Sequence, residues 1–210
     1  MVEGGKIDWA CHDNDAATTF HEVIDMADAV QKALDFYQEH PDETLIVITA
    51  DHETGGIALG TGRYELNLKV LAQQKTSKEQ LTEKIKNLRK AKGNKVSWED
   101  IQGLLAKNLG FWKEIRLNEN REKELKDVYK ESFKGGKVKL SESLYASNEP
   151  LADKAIRILD KIAMVGWTGG GHSAGVVPVF AIGAGSELFQ GKLDNTDIPR
   201  KIAEAAGYNK

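Results

Sequence analysis

Residues 44–50, Thr-Leu-Ile-Val-Ile-Thr-Ala, constrain this chain more than any other stretch. The run is apolar and rich in β-branched side chains, with no polar residue alternating through it. Such a strand needs cover on both faces, as in a parallel sheet between helices. Residues 176–182 form a second run of this kind, and Pro178 within it favours a sheet edge or a bulge. Residues 2–7 read as a strand end running into a loop, and residues 57–59 as a short strand. Helical patterns lie between these runs. Residues 15–24 and 25–40 read as two helices, the second with Asp25 as N-cap and Ala27, Val30, Leu34 and Tyr37 at helical spacing. Pro41 ends it. Residues 149–162 read as a helix with Pro150 in its first turn. Residues 167–172 form a glycine-rich loop, and residues 198–206 a last helix stopped by Gly207. This alternation predicts an α/β fold with a mostly parallel sheet flanked by helices.

The middle of the chain differs in chemistry. Residues 75–139 hold 18 Lys and Arg against 10 Asp and Glu, whereas the rest holds 11 against 22. A basic segment inside an acidic body predicts two structural units. Leu81, Ile85, Leu88, Ile101, Leu104 and Leu105 are helically spaced there, with loops expected at 91–95 and 135–137. Domain boundaries are therefore expected at 1–62 and 141–210 for the α/β core and at 63–140 for a basic helical insertion. The chain has 210 residues, 40% of them hydrophobic, enough for one core with a smaller appendage. Its longest apolar run, residues 45–48, is too short to span a membrane. No signal-peptide pattern opens the chain, and the single cysteine, Cys11, excludes an internal disulfide. The positive charges of 75–139 are mixed with acidic ones and show no aromatic stacking pattern, so no nucleic-acid partner is expected.

Several side chains gather at the ends of these elements. Asp8 and His12 are four apart and share a face if that stretch turns helically. Asp51 and His52 follow the apolar strand directly, where ligands bind in open α/β sheets. His172 lies in the glycine-rich loop, and Glu3 ends the first segment. Each alone has an ordinary reading: Asp8 as a helix cap, Asp-His as a turn, a lone histidine as exposed. His21 and His40 read as solvated helix surface, and Cys11 as a small packed thiol. Clustered carboxylates nevertheless repel one another, and any phosphate, unless cations sit between them.

The wording around these residues is more specific than the residues themselves. Residues 1–8, Met-Val-Glu-Gly-Gly-Lys-Ile-Asp, with His12 following, closely resemble the metal-site segment of alkaline phosphatases. Residues 49–56, Thr-Ala-Asp-His-Glu-Thr-Gly-Gly, resemble the second segment of that family. Gly170-Gly171-His172, with residues 177–181 (Val-Pro-Val-Phe-Ala) and Gly183, resemble the third. Order and context agree in all three, over roughly 1–60 and 145–207, and the middle sits where the family carries a variable insertion, often called a crown. The resemblance implies an alkaline-phosphatase-like fold and hydrolysis of phosphate monoesters. It implies that Asp8, His12 and His172 ligate one zinc, Asp51 and His52 a second, and Glu3 a magnesium. Two histidines and a carboxylate leave a coordination position open, as a catalytic zinc requires. Two zincs about 4 Å apart clamp the attacking and leaving oxygens of an in-line transfer, and a carboxylate without imidazole suits magnesium. Trp9, beside Asp8, either borders this site or simply packs. The family also implies a homodimer and export to the periplasm or the medium.

The same family attacks phosphate with a serine that follows an aspartate, and clamps the phosphoryl oxygens with an arginine. This chain has eight serines, none after an aspartate, and none of its six arginines sits in a recognisable partner motif. The expectation is therefore the C-terminal, metal-bearing portion of such an enzyme, inactive alone. Two alternatives stay open. One is another metallo-hydrolase of the wider superfamily: a phosphodiesterase, a sulfatase or a phosphoglycerate mutase. The other is a non-catalytic metal-binding or interaction module.

Overall fold

The structure, a computed structural model, describes residues 1–62, 64–134 and 138–208. The loop expected at 135–137 lies outside them. In chain order the helices are α1 (Gly5–His12), α2 (Ala16–Glu39), α3 (Lys78–Lys92), α4 (Trp98–Leu109), α5 (Glu119–Lys134), α6 (Pro150–Ala163) and α7 (Asp197–Ala205). The strands are β1 (Leu45–Ile48), β2 (Glu53–Thr54), β3 (Ile57–Leu59), β4 (Ser141–Glu142), β5 (Ser147–Asn148), β6 (Val165–Trp167), β7 (His172–Ser173) and β8 (Phe180–Gly183). Two compact units are distinguished. A helical unit comprises Gly4–Glu22 and Thr54–Gly171, and a smaller unit comprises Met1–Glu3, Val23–Glu53 and His172–Lys210.

The helical unit owes its stability to a continuous apolar core. Leu81 and Ile85 of α3, Leu105 and Leu109 of α4, Leu125 of α5 and Ile156 and Leu159 of α6 are fully buried in it. Helix α6 packs on α3, α5 and a 3-10 turn, Leu68–Gln73. Helices within residues 63–140 thus share their core with α6, which lies outside that segment. Their ends are written locally. Ser97 accepts from the Asp100 amide at 3.1 Å while the Asp100 carboxylate accepts from the Ser97 amide at 2.9 Å, a reciprocal cap for α4. Gly110, at φ +72°, closes the same helix. Pro150 opens α6, as expected from the sequence.

Two local expectations are corrected at the N-terminal end. Residues 5–12 are helical rather than a strand end. Gly4 and Gly5 interrupt any β-branched run there, and Asp8 in the first turn favours a helix start. Residues 16–39 form one helix rather than two. Asp15 caps it, accepting from the Thr18 amide at 3.1 Å and the Thr18 hydroxyl at 2.8 Å. Asp25 is exposed in mid-helix, and no glycine or proline between them breaks the chain. The helix stops at Glu39, two residues before Pro41.

In the smaller unit β1 pairs antiparallel with β8, from Leu45 opposite Gly183 to Ile48 opposite Phe180. In the helical unit β3 pairs with β6 and β4 with β5, also antiparallel. The α/β character holds, whereas the parallel direction expected of β1 does not in these pairs. The expected cover on both faces is not realised either: β1 is half-buried along its length, and Phe180 and Ile182 of β8 are exposed. An unbroken apolar run carries no information on strand direction. Gly183, at φ +101°, is required by this pairing: a Cβ there would stand 2.0 Å from the Thr44 carbonyl oxygen. Helix α7 buries none of its residues, and among the described residues of the smaller unit the single buried hydrophobic side chain is Phe189. No helix is long and apolar enough to cross a membrane among the described residues.

Candidate functional site

The sequence-derived residues fall into two groups, one in each unit. In the helical unit α1 carries Asp8 and His12 on one face, with His12 Nε2 3.4 Å from Asp8 Oδ1. His12 is buried, and its Nδ1 lies 2.7 Å from the Gly170 carbonyl oxygen. A carbonyl only accepts, so Nδ1 carries a hydrogen and Nε2 is the atom turned to the carboxylate. Nε2 faces the Asp8 carboxylate oxygen at a distance where a proton or a metal cation can be shared between them. A ligating histidine is held in this way, its second nitrogen fixed by a carbonyl. The Thr54 hydroxyl donates to the same Asp8 oxygen at 2.6 Å. Thr54 belongs to the 49–56 motif, whose sequence reading assigned roles to Asp51 and His52 alone.

In the smaller unit Asp51, His52 and His172 come together. The His52 and His172 rings stack with centroids 3.5 Å apart and planes at 25°. His52 Nε2 is 3.4 Å from Asp51 Oδ2, and the His52 amide donates to Asp51 Oδ1 at 3.2 Å. The Ser173 hydroxyl donates to the Glu53 carboxylate beside them. Glu3 is exposed. The donor set of imidazoles and carboxylates fits zinc, and a lone carboxylate fits magnesium.

The remaining residues behave as ordinary structure. Cys11 is buried with Sγ 3.8 Å from Thr19 Oγ1, a packed thiol. His21 and His40 are exposed. Trp9 is half-exposed and lies 5.6 Å, ring to ring, from Tyr145, whose ring meets His12 edge-on at 5.2 Å. Trp9 therefore neighbours the Asp8–His12 pair from within the helical unit. A polar cavity of about 360 Å³ adjoins His12, lined among others by Asp13, Asn14, Lys78, Asp153 and Arg157.

Two carboxyls of α6, the buried Asp160 and the partly buried Asp153, are shifted in opposite directions. Burial pushes the Asp160 carboxyl up to about 7, with the nearby Asp15 charge adding to it, against the hydrogen bond from Trp167 Nε1 at 2.8 Å. Burial also disfavours ionised Asp153, but Lys78 at 2.9 Å and Arg157 at 2.8 Å outweigh it and hold that carboxyl below its ordinary range.

Comparison with known proteins adds the family. The alkaline phosphatase profile matches residues 1–208. Alkaline phosphatase 3 of Bacillus subtilis is 35% identical over 212 aligned positions, covering 100% of this chain and 40% of that protein. Alkaline phosphatase 4 of the same organism is 33% identical over 94% of this chain and 37% of its own length. Among solved structures, a cold-active alkaline phosphatase from a psychrophilic Shewanella superposes with a TM-score of 0.72 at 29% identity, over 97% of this chain and 44% of that one. The chain spans about 40% of the length of the curated relatives it matches. Fold, motif order and these likenesses agree, and the chain belongs to the alkaline phosphatase family.

Proposed function

We propose that this chain supplies the metal platform of an alkaline phosphatase, a hydrolase of phosphate monoesters, and that it does not turn over substrate alone. Asp8, His12 and His172 hold one zinc, Asp51 and His52 contribute to a second, and Glu3 contributes to a magnesium site. The observation that carries this reading is His12: buried, hydrogen-bonded through Nδ1 to a carbonyl, and presenting Nε2 to Asp8. Bound zinc supplies Lewis acidity toward a phosphoryl oxygen. Asp8 brings the negative charge that retains the cation, and the Thr54 hydroxyl fixes which way its carboxylate points. His12 keeps its coordinating nitrogen free of the proton by holding that proton on Nδ1 against Gly170. Attack on phosphorus needs a nucleophile that the family takes from an Asp-Ser pair, and this sequence has no such pair.

Three further assignments belong to this reading. Residues 63–140 are the crown-like insertion in a core made of 1–62 and 141–210, the parent enzyme is a homodimer, and it acts outside the cytoplasm. Metal analysis after equilibration with zinc and removal of excess tests the platform. Bound zinc lost on His12→Ala supports it, and no retained zinc refutes it. Turnover of p-nitrophenyl phosphate at alkaline pH, dependent on zinc and abolished by His172→Ala, refutes the inactivity of the isolated chain. The Asp51–His52 site is expected to bind zinc more weakly, and equal affinity at both sites contradicts that order.

A further inference from the structure

Residues 169–171 are three glycines, and the loop they form has no side chain of its own to pack. A Cβ placed on Gly169 or Gly171 would meet nothing within 4 Å. What holds the loop is a row of hydrogen bonds to its carbonyls. His12 Nδ1 donates to Gly170 O at 2.7 Å, and the Gly55 amide donates to Gly171 O at 2.9 Å. The third carbonyl is met by Asn14. Its side-chain amide faces two carbonyl oxygens, Gly169 O at 2.8 Å and Cys11 O at 2.9 Å, so the nitrogen is the atom that points at them. Asn14 is 9% exposed and sits at φ +51°, a conformation asparagine adopts more readily than most residues.

We propose that Asn14 is a positioning residue for the zinc ligand His12, acting by tying the end of α1 to the glycine loop. The inference rests on the zinc reading above. One amide group joins the carbonyl preceding His12 in sequence, that of Cys11, to the carbonyl preceding Gly170. It therefore fixes the separation across which the His12 Nδ1–H bond forms. That bond sets the tautomer that leaves Nε2 for the metal. The Gly169 amide donates to Gly55 O at 3.2 Å and the Gly55 amide to Gly171 O, so the loop stays attached to residue 55 without the bridge. What is lost is its tie to the end of α1, and with it the fixed distance at which the Gly170 carbonyl selects the ring's tautomer.

The test uses the full chain with two variants. Asn14→Gly tolerates the left-handed backbone and removes the amide, and Asn14→Asp keeps the shape and removes the donor. Zinc affinity is measured by competition with a chromophoric chelator, and the His12 tautomer by ¹⁵N chemical shifts in zinc-free protein. Zinc affinity is expected to fall about tenfold to a hundredfold, as for other groups that support a ligand from behind, with the His12 preference for Nδ1–H lost. A fold lost outright in Asn14→Asp leaves Asn14→Gly to decide. Wild-type affinity and wild-type tautomer in Asn14→Gly overturn the proposal. If the wild-type chain binds no zinc, the zinc reading falls, and the tautomer measurement alone decides whether Asn14 orients the ring.

Discussion

Replacing Asp160 by asparagine isolates the cost of keeping an ionisable group inside the helical unit. Asp160 is 2% exposed, its Oδ2 accepts from Trp167, and the Ala16 amide also faces the carboxyl. Folding raises its proton affinity, to a pKa of about 7 from an ordinary 3.8. The folded chain thus holds a proton that the unfolded chain has released over that interval. Its contribution to stability is complete below pH 4, declines as pH rises toward 7, and is constant above. A shift of about three pH units at about 1.4 kcal/mol each corresponds to about 4 kcal/mol as an upper value. An asparagine side chain is a near-isostere of the protonated carboxyl and does not titrate, so Asp160→Asn keeps the Trp167 acceptor and loses the pH dependence. The amide nitrogen that replaces Oδ1 cannot accept from the Ala16 amide, which adds a constant offset. Urea unfolding of both proteins, followed by far-ultraviolet circular dichroism from pH 4.5 to 9, gives the difference in unfolding free energy, from which all common titrations cancel. The variant is expected to gain on the wild type steadily up to pH 7 and to hold that gain at alkaline pH. A difference that is flat across the range, or that moves the other way, refutes the argument.

Three other perturbations follow from the same geometry. Lys78→Ala leaves the partly buried Asp153 with only the half-exposed Arg157 as partner, and is expected to cost about 2 kcal/mol near neutral pH in urea unfolding, less than for a fully buried pair. Because Asp153 is held low, the stability it contributes is present above its unfolded pKa and fades as pH falls through the folded one, so the effect of Lys78→Ala shrinks in acid. Ser97→Ala removes half of the reciprocal cap on α4 and is expected to cost about 1 kcal/mol, read by the same unfolding assay. Gly183→Ala drives a methyl into the Thr44 carbonyl at a positive φ, and hydrogen exchange is expected to accelerate at the Leu45–Ile48 amides, with unchanged exchange refuting the steric account.

What the sequence made legible depended on whether the signal was local. Pro150 and the apolar spacing behind it define α6 before any packing is known, and Gly207 marks the end of α7. Strand β1 was legible from its unbroken β-branched run, but its partner was not, because pairing direction depends on residues near the other end of the chain, Gly183 for Leu45 and Ala181 for Val47. The division of 15–40 into two helices failed because Asp25 resembles a cap by residue type, whereas the cap is Asp15, told apart by the Thr18 amide and hydroxyl its carboxylate accepts from. Among the site residues, Asp8 and His12 were legible from their spacing of four once α1 is helical. Asn14 and Thr54 were not, since each acts through hydrogen bonds to groups made neighbouring by the fold. The roles of Glu3, Asp51, His52 and His172 came from wording shared with a family, not from spacing.

The near absence of buried apolar side chains in the smaller unit bears on how a cation would be taken up there. Packing cannot preorganise Asp51, His52 and His172 when Phe189 is the single hydrophobic side chain buried among the unit's described residues. Coordination would then do what a core does elsewhere, so that part of the metal's binding free energy appears as order in the polypeptide. Asp8 and His12 are carried by the unit with the full core. On the zinc reading proposed above, loading would therefore order the polypeptide around Asp51, His52 and His172, and slow amide exchange acquired with zinc tests it.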